Sequence, residues 1–134
     1  MAITYTLDRP RRRMYTRAEG MLTLAEIEAH LEVEETDRAL GYAELFDARG
    51  TTLSLNADDV RRLVERARKL HAAGVVVGPT AIVANSDVVF GMARMYAILS
   101  GFVHAPVEVF REVEPALAWL DDYVVPGTPP PGAG

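Results

Sequence analysis

From its first positions the chain alternates: Ile3, Tyr5 and Leu7 are apolar, while Thr4, Thr6 and Asp8 between them are polar. That two-residue period belongs to a half-buried strand. Arg9-Pro10 marks a turn and the alternation resumes over Arg13 to Gly20, so the two segments predict an antiparallel hairpin. At Thr23 the period changes. Thr23 and Glu26 have the spacing of a capping box, and Leu24, Ile27 and Leu31 fall on one helical face with the acidic residues opposite. This first helix is expected to run to about Leu40, ended by Gly41.

Tyr42 to Ala48 is short, aromatic-bearing and bounded by Gly41 and Gly50, which predicts a third strand. After a link rich in glycine and hydroxyls, Asn56 caps a second helix with Asp59 at its third position. Val60, Leu63, Val64, Ala67 and Leu70 form its buried stripe, and Gly74 closes it. On its outer face Asp58 lies four residues before Arg62, and Glu65 four before Lys69, a spacing that favours ion pairs. Pro79 to Asn85 reads as a buried strand, with Val75 to Val77 leading into it or packing beneath it. Asn85 or Ser86 caps a third helix that extends to about Ser100. Pro106 to Phe110 is a fifth strand, and Pro115 opens a last short helix carrying Leu117, Trp119 and Leu120.

The order β-β-α-β-α-β-α-β-α predicts an α/β fold. Its five-stranded sheet is mixed but mostly parallel, with right-handed βα crossovers and an antiparallel edge from the hairpin. One domain is expected over 1–123, followed by a flexible Pro/Gly-rich tail over 124–134.

Composition narrows the function classes. A net charge of −5 argues against a nucleic-acid partner, because neutralising phosphates needs a basic surface. Without cysteine there is no thiolate chemistry and no disulfide. No apolar run is long enough to insert in a membrane and the start lacks a secretory signal, so a cytoplasmic protein is expected. His30, His71 and His104 are scattered and make no i, i+4 histidine pair, so neither metal nor cofactor is expected. Phosphate-cradling glycine loops, dinucleotide fingerprints and nucleophile elbows are also missing, and no enzyme is expected.

"FGMARMY" (Phe90 to Tyr96), "VEVFREVEPALAWL" (Val107 to Leu120) and the element order carry a resemblance. The chain resembles STAS domains, the fold of anti-sigma factor antagonists. More particularly it resembles small bacterial proteins related both to STAS domains and to the CRAL-TRIO lipid-binding fold. In the antagonists, an Asp-Ser-Ser-Gly type motif after the third strand carries the serine that is phosphorylated. The corresponding stretch here is Asp47-Ala48-Arg49-Gly50, with no hydroxyl to accept a phosphoryl group. The resemblance therefore implies the corner without its switch. Thr51 is the nearest substitute, and charge added there is expected to weaken partner binding.

Two places are candidates for function. Asp47, Arg49 and Thr51 stand where the third strand ends, and Asn85 and Ser86 where the fourth does. Neighbouring strand ends form the crevice in which parallel sheets commonly take ligands or partners. The plainer alternative has Asp47 and Arg49 satisfying each other within the loop. The second place is the helix of Phe90, Met92, Arg94, Met95 and Tyr96, which has almost no polar face. Such a helix is buried on both sides or touches something outside its own chain, a protein partner or a second copy in a homodimer. The expected function is a non-enzymatic, STAS-like regulatory or protein-interaction module. The kinship with CRAL-TRIO proteins implies the alternative of a carrier or sensor of a small apolar ligand or lipid.

Overall fold

The computed structural model describes residues 3–101 and 106–123; the expected tail at 124–134 lies outside the described residues, as does His104. The hairpin forms as the alternation predicts, with β1 (Ile3–Asp8) antiparallel to β2 (Arg13–Ala18) and Ile3 opposite Ala18. Pro10 occupies the turn, which closes with Arg12 at φ 54° and its N–H on the Arg9 carbonyl. Beyond β2 the sheet is parallel. β4 (Ala43–Asp47), β6 (Thr80–Val83) and β7 (Val107–Phe110) follow in the order β1-β2-β4-β6-β7. This is the mixed, mostly parallel five-stranded sheet of the expected α/β fold.

A second, two-stranded ladder was not expected from the sequence. It pairs β3 (Gly20–Thr23) with β5 (Thr51–Ser54) in parallel, Leu22 opposite Leu53. β2 and β4 are already parallel neighbours with Arg17 opposite Asp47, and β3 and β5 continue them after a bend. Both chains turn at a glycine with positive φ, Gly20 at 76° and Gly50 at 79°, where a side chain would be strained. The Gly20 N–H bonds the Gly50 carbonyl across the corner.

The helices are α1 (Leu24–Thr36), α2 (Ala57–Ala72), α3 (Asp87–Leu99) and α4 (Val113–Asp122). Thr23, Asn56 and Ser86 cap the first three as their spacing predicts, Asn56 in a full capping box with Asp59. α1 ends near Thr36, short of Leu40. Arg38 takes the left-handed conformation (φ 58°), and the Ala39 and Arg38 N–H groups bond the Glu34 and Glu35 carbonyls. That is a Schellman stop, made here without glycine. On α2 the ion pairs differ from the expected ones. Arg61 pairs with Asp58 (2.9 Å), while Arg62 and Arg66 reach across to Glu28 (3.5 Å) and Glu35 (2.9 Å) of α1.

Side-chain alternation divides the sheet into two faces. Ala43 and Leu45 of β4, with Ala81 and Val83 of β6, pack against Ala116 and Leu120 of α4. Glu44, Phe46, Thr80 and Ile82 point to the opposite face, which is covered by α1, α2 and α3. That second face holds the site.

Candidate functional site

β4 is central in the sheet and has helices on both faces, so Ala43, Glu44 and Leu45 are shut off from water on either side. Glu44 is therefore buried wherever its neighbours point, and a buried carboxylate needs partners. It has three. Thr16 on β2 donates its hydroxyl to Glu44 Oε2 at 2.6 Å, and His30 Nε2 lies 2.8 Å from the same oxygen. Glu34, one turn after His30 on α1, places Oε1 3.2 Å from His30 Nε2. His30, Glu34, Glu44 and Thr16 are all buried. The rings of Tyr5 and Phe46 stand edge-on to the imidazole.

This arrangement sets the protonation states. Burial alone would lower the pKa of His30, but hydrogen bonds to Glu34 and Glu44 and their charges outweigh it, raising it from 6.5 to about 9. Glu34 is pushed up from 4.5 to about 8, by burial first and by the neighbouring Glu44 charge second. For Glu44 burial acts upward, but the hydrogen bonds from His30, Glu34 and Thr16 prevail and hold it below its ordinary value. At neutral pH the trio is thus an imidazolium, a carboxylate and a carboxylic acid. Tyr96 is raised by burial and then by the Glu34 and Glu44 charges, which places it within their field.

The trio lines a cavity of about 170 Å³ between the sheet and the three helices. Most of the wall is apolar: Met14, Leu22, Leu53, Leu63, Ile82 and Met92 contribute, with Tyr96 and Arg66 as further polar elements. The residues of this site make no recognisable motif. His30 and Glu34 sat on a helix whose acids were assigned to solvent, and Glu44 lay in a strand with no spacing to either. The signal available was periodic. Ile27, Leu31 and Glu34 follow the i, i+4, i+7 rule, so Glu34 shares the buried face.

The residues expected to form a site at the strand ends are differently employed. Asp47 and Arg49 form a two-pronged pair, Nε to Oδ1 at 2.9 Å and Nη2 to Oδ2 at 2.8 Å. The hydrogen bonds from Arg49 hold Asp47 below its ordinary pKa. Thr51 is buried and its hydroxyl donates to the Ala48 carbonyl at 2.6 Å, so no phosphate acceptor is presented there. Asn85 is exposed, and Ser86 is committed to capping α3 through the Val89 N–H.

On the expected interaction helix, Met92 and Tyr96 face the cavity, Phe90 lies under the Arg111 guanidinium (4.1 Å) and Met95 is half-buried. Arg94 is exposed. Beside Asp87 and Arg94, the outer face of α3 puts apolar side chains in solvent, with Val88 69% and Ile98 67% exposed, joined by Leu99. α3 is thus not wholly buried, and its outer face mixes apolar with charged side chains. Among the described residues no helix is long and apolar enough to cross a membrane.

No family model matches the chain, and no curated protein matches it either. Among solved structures it is similar to an uncharacterised protein of the DUF3478 family from Shewanella loihica PV-4, described as having a SpoIIAA-like fold. The two share 22% identity over 89% of this chain and 93% of that one, with a TM-score of 0.56. At that identity the likeness speaks for fold alone. The hairpin, the parallel sheet and the four helices in this order are the SpoIIAA-like, STAS-type fold.

Proposed function

We propose that this chain is a non-enzymatic STAS-like module that binds a small, mostly apolar molecule and presents α3 to a protein partner or a second copy of itself. The observation that carries the reading is the cavity beneath the sheet. Its volume of about 170 Å³ is close to the roughly 150 Å³ of an apolar cavity that takes benzene. It is well below the roughly 300–1,000 Å³ of sites for drug-sized ligands. The occupant that fits is one ring or a short chain carrying a hydrogen-bonding group for the polar trio, rather than a whole lipid. α3 links this chamber to the surface, because Val89, Met92, Ala93 and Tyr96 line it while Val88, Ile98 and Leu99 face outward. An occupant that shifts α3 alters the surface a partner meets.

The test is a panel of benzene, toluene, indole and hexanol, read by shifts of the Met92 methyl resonance. Saturable shifts are expected in the wild type and their loss in Ala93→Phe, which fills the chamber. A wild-type spectrum that no compound moves, or an Ala93→Phe protein that binds as well as the wild type, overturns the ligand reading. Ile98→Glu is expected to abolish capture of a partner or self-association by sedimentation; unchanged behaviour in both removes α3 from the proposal.

A further inference from the structure

We propose that His30, Glu34 and Glu44 bind one first-row divalent cation, Zn²⁺ by preference, in the wall of the cavity. Their side chains converge there, one ligand atom from each residue lying within 4.8 Å of the others. The imidazole nitrogen lies 2.8 Å from one carboxylate oxygen and 3.2 Å from the other. Neighbouring ligands of a tetrahedral or octahedral ion with bonds of about 2.1 Å stand roughly 3.0–3.4 Å apart, so small side-chain adjustments accommodate it.

The decisive detail is an imbalance that a proton leaves unresolved. Nε2 carries one N–H and faces two buried carboxyl groups, the Glu44 carboxylate and the neutral Glu34 acid, and a single donor cannot point straight at both. Glu44 Oε2 accepts a well-formed bond. Glu34 Oε1, on a side chain only 8% exposed, is left without a well-formed hydrogen bond, its neighbour being the same Nε2 at 3.2 Å. A cation has no such directional limit. Its binding releases the Nε2 proton of His30 and the carboxyl proton of Glu34 to solvent; it then serves the three donors at once, and two carboxylates neutralise its double charge.

The surroundings fit the same occupant. His30 and Glu34 are four apart on α1, the spacing that lets one helical turn offer two ligands. β4, held in the centre of the sheet, supplies the third from a rigid element. The Thr16 hydroxyl donates to Glu44 Oε2 and so orients the ligating carboxylate from behind. The chamber beside the trio leaves room for a further ligand from water or from a bound molecule. A nitrogen donor among carboxylates suits Zn²⁺ better than Mg²⁺ or Ca²⁺, which prefer oxygen alone.

The experiment is calorimetric titration of the chelator-stripped full chain with ZnCl₂ and no organic ligand. One equivalent is expected to bind with a dissociation constant of about micromolar or tighter. Glu34→Gln and Glu44→Gln, checked for folding by circular dichroism, are expected to weaken it at least about tenfold, the scale on which disturbing a metal site is felt. X-ray absorption of the loaded wild type is expected to show one imidazole within a nitrogen and oxygen shell. Ala93→Phe is expected to keep the metal while losing the apolar ligand, so the two proposals fail separately. No saturable binding by the wild type, undiminished binding by both folded variants, or a spectrum without imidazole overturns the site.

Discussion

Raising the pH removes protons from the buried trio, and the loss of stability can be worked out from its geometry. His30 is raised from 6.5 to about 9, so the stability it adds is complete below pH 6.5 and lost as pH climbs through 9. Glu34 is raised from 4.5 to about 8, so the folded state's preference for the neutral acid fades over that interval. Both terms fall with rising pH. Glu44, held below its ordinary value, acts in the opposite sense and only at acid pH, where stability is lost as it becomes protonated. Between pH 7 and 9, His30 spans about two units and Glu34 about one, each unit worth about 1.4 kcal/mol. The folded state should therefore lose on the order of 4 kcal/mol, a large part of the roughly 5–15 kcal/mol of a typical domain. The assay is guanidinium unfolding across this range in chelator, so that no metal stands in for protons. Glu34→Gln keeps the shape of the neutral acid and should remove Glu34's share, about one third of that fall. A wild-type decline smaller than about 1 kcal/mol, the scale of the extrapolation error, refutes the protonation states assigned to the trio.

Two further substitutions test the backbone that holds the site. A Cβ at Gly78 would lie 2.1 Å from the Tyr42 carbonyl oxygen, so Gly78→Ala must push apart the segments leading into β4 and β6. A loss of about 3 kcal/mol is expected in denaturant unfolding, and a loss below about 0.5 kcal/mol contradicts the close approach. Arg38 is exposed and left-handed at the end of α1, so Arg38→Gly should stabilise by about 0.5–1 kcal/mol, seen as a higher melting temperature. A lowered melting temperature means Arg38 makes a contact worth more than its strain.

Much of the architecture was legible because local chemistry and burial agree. The hairpin alternation, the Asn56–Asp59 box, the Ser86 cap and Gly74 at φ 76° each act within a few residues, and each stands where its pattern predicts. The small ladder was hidden because β3 and β5 are four residues each and owe their pairing to the prior alignment of β2 with β4. The end of α1 was misplaced because glycine is the usual sign of a helix stop, and Arg38 does that work instead. The polar trio was illegible for a deeper reason. Binary patterning assigns every acid to water, whereas Glu34 and Glu44 are kept inside by His30, one turn before Glu34 on α1, and by Thr16 on β2, the strand beside β4 and 28 residues away in sequence. Long-range satisfaction of buried charge leaves no motif, and its one local trace is the place of Glu34 on the apolar stripe of α1.

The bend at Gly20 and Gly50 carries a consequence for chains that differ here in length. Leu22 and Leu53 face each other across the short ladder and both form part of the chamber wall. A strand reverses the direction of every side chain when it slips by one position. A single residue inserted at either corner would thus turn one leucine out to solvent and breach the chamber, while the five main strands kept their pairing. Relatives with the same fold and an altered corner would be hollow or solid according to that one count.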